Sequence, residues 1–176
     1  MDYKKIAEID RLLEAKESRF NHEKYLAEKY KATLISFMLN IPGEIKSTEL
    51  TKKFQKRYIE IIDKILKDED IKILHRQFRE KVTGDECFFV VDEDATKVKK
   101  LMASLEESKK EARLLDIDVF DKDMNQISRD SLGYPNRKCL ICDNSAKYCM
   151  RMNSHKYEDL IIETKRLLER KHEKED

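Results

Sequence analysis

Backbone breakers are scarce in this chain. Only three glycines and two prolines punctuate 176 residues, so the positions where they fall mark the turns. Pro42-Gly43 cuts off A-T-L-I-S-F-M-L-N-I, Ala32 to Ile41, a continuous apolar and β-branched run that reads as a buried strand. Beyond it, Ser47 or Thr48 can cap a long helix with a stripe of Leu50, Phe54, Tyr58, Ile61, Ile62 and Leu66. Gly84 separates two strand-like runs, Ile71 to Val82 and Glu86 to Val91, predicting an antiparallel hairpin. Asp94 caps a helix to Ser108 with an apolar face of Val98, Leu101, Met102 and Leu105. Arg113 to Phe120 reads as the next strand, and a turn through Asp121-Lys122-Asp123 leads to a hairpin partner at Gln126 to Arg129.

Ahead of the first strand the pattern is helical in two stretches. Ile6, Ile9, Leu12 and Leu13 mark the first; Phe20, Tyr25, Leu26 and Tyr30 mark the second. Arg19 and His22 read by default as solvated helix residues. Cys87 reads as a small core residue and His75 as a sheet-surface residue. Tyr157 to Lys171 predicts an amphipathic helix with Leu160, Ile161, Thr164, Leu167 and Leu168 inward, followed by a frayed tail, K-H-E-K-E-D.

The order strand, helix, strand, strand, helix, strand is the split β-α-β pattern of ferredoxin-like sheets. The expectation is a single α+β domain over 1–176 with a mixed or antiparallel sheet. Its parts are a helical segment at 1–31, an α+β core at 32–130, a cysteine-containing loop at 131–155 and a C-terminal helix at 156–176. This pattern places the Arg113–Phe120 strand inside the sheet, with helices on one face.

Charge separates the function classes. Lys plus Arg number 37 against 36 Asp plus Glu, a net +1, so no global field points to nucleic acid or a membrane surface. No run approaches the ~20 apolar residues of a membrane helix, and M-D-Y-K-K-I-A-E-I-D lacks an apolar signal region. Four cysteines without such a signal favour a reducing compartment and metal over disulfides. The reading is a cytoplasmic protein.

Three constellations carry chemistry. In R-L-L-D-I-D-V, Asp116 and Asp118 alternate with Leu115, Ile117 and Val119, so on a strand both carboxylates share one face about 7 Å apart. That suits a hard cation such as Mg²⁺, which takes one or two carboxylates and completes its shell with water and phosphate; the bland alternative is a strand whose aspartates face water. Lys46 follows the Pro-Gly turn and precedes a helix N-terminus, a geometry that can receive an anion, although the P-loop spacing is absent. Finally, Cys139, Cys142, Cys149 and His155 supply three thiolates and an imidazole, the donor set of a closed tetrahedral zinc site. The first pair has knuckle spacing; the later spacing fits no common finger, and packing of three small side chains is the alternative.

Taken together, I-S-F-M-L-N-I-P-G-E-I-K-S, A-R-L-L-D-I-D-V and I-S-R-D-S-L-G-Y-P-N-R-K-C-L-I-C-D-N-S-A-K-Y-C-M-R, with His155, resemble the holo-citrate lyase synthase family, apo-citrate lyase phosphoribosyl-dephospho-CoA transferases. The resemblance spans roughly residues 16 to 160. It implies transfer of a phosphoribosyl-dephospho-CoA group from triphosphoribosyl-dephospho-CoA to a serine of the citrate lyase acyl-carrier subunit, releasing pyrophosphate, by nucleotidyltransferase-type chemistry. On that implication Asp116 and Asp118 hold Mg²⁺ on the triphosphate, and one of them accepts the serine proton. Arg113 and Lys46, with Arg129 and Arg137 as planar donor forks, contact phosphate, and Arg19 matches an N-terminal arginine of the pattern. Cys139, Cys142, Cys149 and Arg151 match its C-terminal box.

The chain also departs from that pattern. A His-Pro-x-Gly stretch is replaced by Lys109-Lys110-Glu111-Ala112, which predicts a helix running further towards the strand and removes a histidine. An Arg and a Gln appear as Lys16 and Glu23, and basic positions after Arg151 read Met152-Asn153-Ser154. Two other readings compete: a catalytically degenerate relative that binds the acyl-carrier subunit, and a zinc-stabilised module for RNA.

Overall fold

The computed structural model describes residues 3–170, the side chains of 3–6 and 8 excepted. The position of Ile6 in the helical stripe and the tail from Lys171 lie outside the described side chains and residues. The elements are α1 (Tyr3–Tyr30), β1 (Thr33–Leu39), α2 (Glu49–Asp68), β2 (Lys72–Arg79), β3 (Glu86–Asp92), α3 (Ala95–Ser108), β4 (Leu115–Phe120), α4 (Ala146–Met152) and α5 (Tyr157–Glu169). Short 3-10 turns at Lys110–Leu114 and Asp130–Leu132 fill two of the connections. The four strands form one antiparallel sheet in the order β2-β3-β1-β4. Each helical crossover, β1-α2-β2 and β3-α3-β4, therefore skips one strand.

Alternation along the strands gives the sheet two unlike faces. Ile35, Phe37 and Leu39 of β1, Cys87, Phe89 and Val91 of β3, and Leu115, Ile117 and Val119 of β4 enter the main core with α2, α3 and α5. Phe54, Tyr58, Ile62 and Leu66 supply α2's stripe, and Val98, Met102 and Leu105 that of α3. Full burial of each such side chain contributes about 1.5–3 kcal/mol. The capping expectations hold: Thr48 accepts from the Thr51 amide in a reciprocal box, and Asp94 accepts from the Thr96 and Lys97 amides. Cys87 is buried in the core, and burial pushes its thiol up to about 12.

Several expectations are corrected. The helical pattern from Lys4 to about Tyr30 is one continuous helix, α1, and it lies on the other face of the sheet, so the helices do not share one face. Ile9, Leu13, Phe20 and Tyr25 are exposed; α1 buries Glu23, Leu26 and Ala27 instead. β4 is an edge strand, not an interior one. Alternation reports which face of a strand is covered and says nothing about how many strands flank it.

The β4 edge is covered by side chains. Buried Lys99 of α3 donates to the Ile117 carbonyl (2.7 Å), and Glu106 of α3 accepts from the Ile117 amide (3.2 Å). The expected hairpin at Gln126 to Arg129 reduces to one bridge, Phe120 to Gln126, with the Ile127 amide on Val119 O. α3 stops at Ser108 instead of extending, and the 3-10 turn places Arg113 before β4 rather than on it. Lys110 in that turn reaches Glu163 of α5 at 2.9 Å, and Glu111 is buried against Arg170 at 3.3 Å, so this stretch anchors the last helix. In α5 Thr164, Leu167 and Leu168 are buried, whereas Ile161 is exposed. The cysteine loop contains α4.

Candidate active site

The second face of the sheet is divided. At one end Leu34, Phe88 and Val90 pack under Leu26 of α1. At the other, Ser36, Met38, Glu86, Asp116 and Asp118 point the same way. Ser36 is paired with Asp118 and Met38 with Asp116 in the β1–β4 register. Both aspartates thus share this face, half-buried, as the alternation predicted.

α1 brings polar groups over that end. Ser36 Oγ donates to Glu23 Oε1 at 2.6 Å. Arg19 Nε lies 3.8 Å from the same oxygen, and its guanidinium meets the Met38 sulfur. His22 bonds Gln77 at 2.9 Å and stands edge-on to Phe88, so neither Arg19 nor His22 is a freely solvated helix residue. His75 is half-buried, stacked on Tyr30. Burial raises the Glu23 carboxyl above its ordinary value, partly offset by the Ser36 hydrogen bond and Arg19. Burial also raises Glu86, with Arg79 opposing.

An open cleft of about 350 Å³ forms here, with Lys16, Arg19, Met38, Lys46, Glu86 and Asp116 in its wall. Lys46 donates to the Ile41 carbonyl at 2.5 Å, which folds its chain back over the Pro42-Gly43 turn. Gly43 itself sits at φ +91, where a Cβ would meet the Tyr157 hydroxyl at 2.6 Å.

A second cleft, about 240 Å³, is strongly basic: Lys109, Lys110, Arg113, Arg129, Arg137 and Lys138 line it beside Glu106 and Glu107. Arg137 links it to Asp116. Its guanidinium bonds Asp116 Oδ1 and Glu106 Oε1, each at 2.7 Å. Arg129 bonds Glu106 Oε2 at 2.9 Å and also pairs with Glu107. Asp118 Oδ1 accepts from Gln126 at 2.7 Å. Burial and the neighbouring Asp116 charge raise the Asp118 carboxyl above the usual range.

Each aspartate uses Oδ1 for a protein donor, Gln126 for Asp118 and Arg137 for Asp116. Two carboxylates on one strand face could hold a hard divalent cation, which needs only one or two protein carboxylates.

The structure brings Arg19, Lys46 and Asp116 to one cleft and Arg129 and Arg137 to the other, with Arg137 bonded to Asp116 and Asp118 on the same face of β4. Arg113 lines the basic cleft, but its guanidinium is held by the Cys139 and Cys142 carbonyls (2.8 and 3.2 Å) and by Asp143 (2.8 Å). Glu106 and Glu86 were missed as site neighbours, whereas Glu23 had entered as a departure from the family pattern. Each lies on a helix or strand among many charged residues, and only the packing shows that it is buried.

The four cysteine-segment residues converge as well. One ligand atom from each of Cys139, Cys142, Cys149 and His155 lies within 4.8 Å of every other.

A family model described as apo-citrate lyase phosphoribosyl-dephospho-CoA transferase matches residues 7–171. The chain belongs to this family. It is 30% identical over 154 residues to a probable apo-citrate lyase phosphoribosyl-dephospho-CoA transferase of Vibrio cholerae, covering 87% of this chain and 86% of that one. To the transferase of that name from Citrobacter koseri it is 28% identical over 160 residues, 91% of this chain and 87% of the other. A Leuconostoc mesenteroides relative named Protein CitXG is 34% identical over 160 residues, 88% of this chain. The chain spans about a third (34%) of that relative's length. No described helix is long and apolar enough to cross a membrane.

Proposed function

We propose that this chain transfers the phosphoribosyl-dephospho-CoA group from triphosphoribosyl-dephospho-CoA to a serine of the citrate lyase acyl-carrier subunit, releasing pyrophosphate. The observation that carries the reading is Asp116 and Asp118 on one sheet face, with Asp116 in the wall of a cleft beside Lys16, Arg19 and Lys46 and bonded to Arg137, which lines a second, basic cleft. Family membership supplies the substrate class, and the relatives' names carry citrate lyase and the prosthetic group. On this reading the sheet is a ferredoxin-like core, its two helical crossovers each skipping one strand.

Asp116 and Asp118 would hold the divalent cation. Mg²⁺ bound there supplies charge neutralisation on the phosphate oxygens and the leaving pyrophosphate. The serine Oγ attacks the α-phosphorus, the bond to pyrophosphate breaks, and one of the two aspartates accepts the serine proton. Arg129 and Arg137, both paired with Glu106, and Arg137 also with Asp116, place positive charge in the wall of the basic cleft, with Lys109 and Arg113 in the same wall. Arg19 and Lys46 line the opposite cleft. The protein acts where the prosthetic group is attached, in the cytoplasm.

The test is mass spectrometry of apo acyl-carrier subunit incubated with this protein, Mg²⁺ and triphosphoribosyl-dephospho-CoA. The expected result is a gain of the phosphoribosyl-dephospho-CoA mass, lost with Asp118→Asn. Transfer that survives in the variant would remove Asp118 from the metal site. No transfer by folded wild-type protein on a competent carrier would overturn the reading.

A further inference from the structure

The cysteine segment is not used by the transfer reaction as proposed, yet it is built with unusual care. Cys139 and Cys142 lie on a tight loop closed by the Cys139 amide on Asn144 O (2.8 Å) and the Ala146 amide on Arg137 O (2.8 Å). Cys149 comes from α4, which Ser145 caps through the Tyr148 amide. His155 follows after Asn153 ends that helix in the left-handed conformation, φ 45.

Three elements thus deliver four soft or borderline donors to one point. All three thiols are free, and Cys142 and Cys149 sulfurs stand 3.5 Å apart. Zinc at about 2.3 Å from each sulfur requires sulfurs about 3.8 Å apart, close to this spacing. A second observation is independent of the cysteines. His155 Nε2 is buried and has no hydrogen-bond partner, a state that costs about 1–3 kcal/mol unless something ligates it.

We propose that Cys139, Cys142, Cys149 and His155 bind one structural Zn²⁺, and that Arg113 is its positioning residue rather than a phosphate contact. A closed set of three thiolates and one imidazole leaves no position for substrate, which is the pattern of a structural rather than a catalytic zinc. Arg113 Nη1 holds the carbonyls of both knuckle cysteines, and Lys110 Nζ holds that of Ile141 between them at 3.4 Å. These contacts orient the ligands from outside the first coordination sphere. The site also has a reach. Arg137 lies two residues before Cys139, and its carbonyl is tied to the loop, so the zinc loop fixes the residue that bonds Asp116. The binding claim stands apart from the transferase reading, since metal content is read without substrate.

The full chain, expressed with zinc and purified reduced without chelator, is expected to carry one zinc ion per chain by elemental analysis. A mercurial titration of the thiols should release it, and cobalt substitution should give thiolate charge-transfer and tetrahedral bands. Cys142→Ser and Cys149→Ser should lose the metal, whereas Cys87→Ala keeps it. Arg113→Ala should bind zinc about 10–100-fold more weakly. Folded, reduced wild type that contains no zinc and takes up none on titration would overturn the site, as would iron in its place. Should the serine variants fail to fold, zinc that stays bound after all thiols of the wild type react would overturn it equally. Unchanged affinity in Arg113→Ala would remove that residue's role.

Discussion

The two faces of this sheet are written in alternate residues of the same strands, and they have opposite chemistry. Phe37, Phe89, Ile117 and Val119 look one way into a core sealed by α2, α3 and α5. Ser36, Met38, Asp116 and Asp118 look the other way, where α1 packs Leu26 on the Leu34, Phe88 and Val90 end and sets Arg19 and Glu23 over Ser36 and Met38. The difference teaches where each kind of free energy resides. The closed face supplies apolar burial, so its substitutions register as stability. The open face holds Asp118, whose ionised form is disfavoured by burial, so its substitutions register as binding and chemistry.

Phe89→Ala tests the first half and has the largest expected effect, about 3–5 kcal/mol of unfolding free energy by chemical denaturation. Below denaturing conditions its transfer activity per folded molecule should be unchanged. A loss under about 1 kcal/mol would mean that the closed face is not where stability resides. Asp118→Asn tests the second half. Stability should move by less than about 1 kcal/mol, while transfer falls roughly a thousandfold, or about 4 kcal/mol of barrier, because a carboxylate ligand is lost. Equal losses of stability and activity in either variant would erase the distinction between the faces.

Glu106→Ala sits on the border and sharpens it. This buried carboxylate holds Arg129, Arg137 and the Ile117 amide together. Its removal leaves two guanidinium groups and a backbone N–H without their shared partner, at a cost of about 3 kcal/mol. Because Arg137 also bonds Asp116, the variant should lose activity and stability together, unlike the two before it. A purely structural Glu106 would lower the unfolding midpoint and leave the transfer rate per folded molecule intact.

These variants also show how much was legible beforehand. The strands, their alternation and the caps at Thr48 and Asp94 follow from local chemistry, and the structure keeps them within a few residues. The shared face of Asp116 and Asp118 follows from period two alone. The edge position of β4 was not legible, because its edge is covered by Lys99 and Glu106, which act from another element as backbone partners. The placement of α1 was not legible either: its buried residues are few and include a glutamate, so its apolar pattern pointed to the wrong face. Glu86 and Glu106 became visible as site neighbours only when tertiary packing buried them.

The smallest effect belongs to the last helix over the closed face. Glu163 of α5 pairs with Arg166 and with Lys110 of the turn before β4, and these cations, Arg166 first, hold its carboxyl down to about 2. The folded value lies below the ordinary 4.5, so the ion pairs stabilise fully above that ordinary value, and the contribution is lost as pH falls towards 2. Glu163→Gln should therefore cost about 1 kcal/mol at neutral pH. The gap to wild type should narrow as pH falls to roughly 3, measured by urea denaturation at each pH. The Phe89→Ala gap has no titrating group and should stay constant over the same range. A Glu163→Gln gap that also stays constant would show that α5 is held by Thr164, Leu167 and Leu168 alone, and that Lys110 has no part in closing this face.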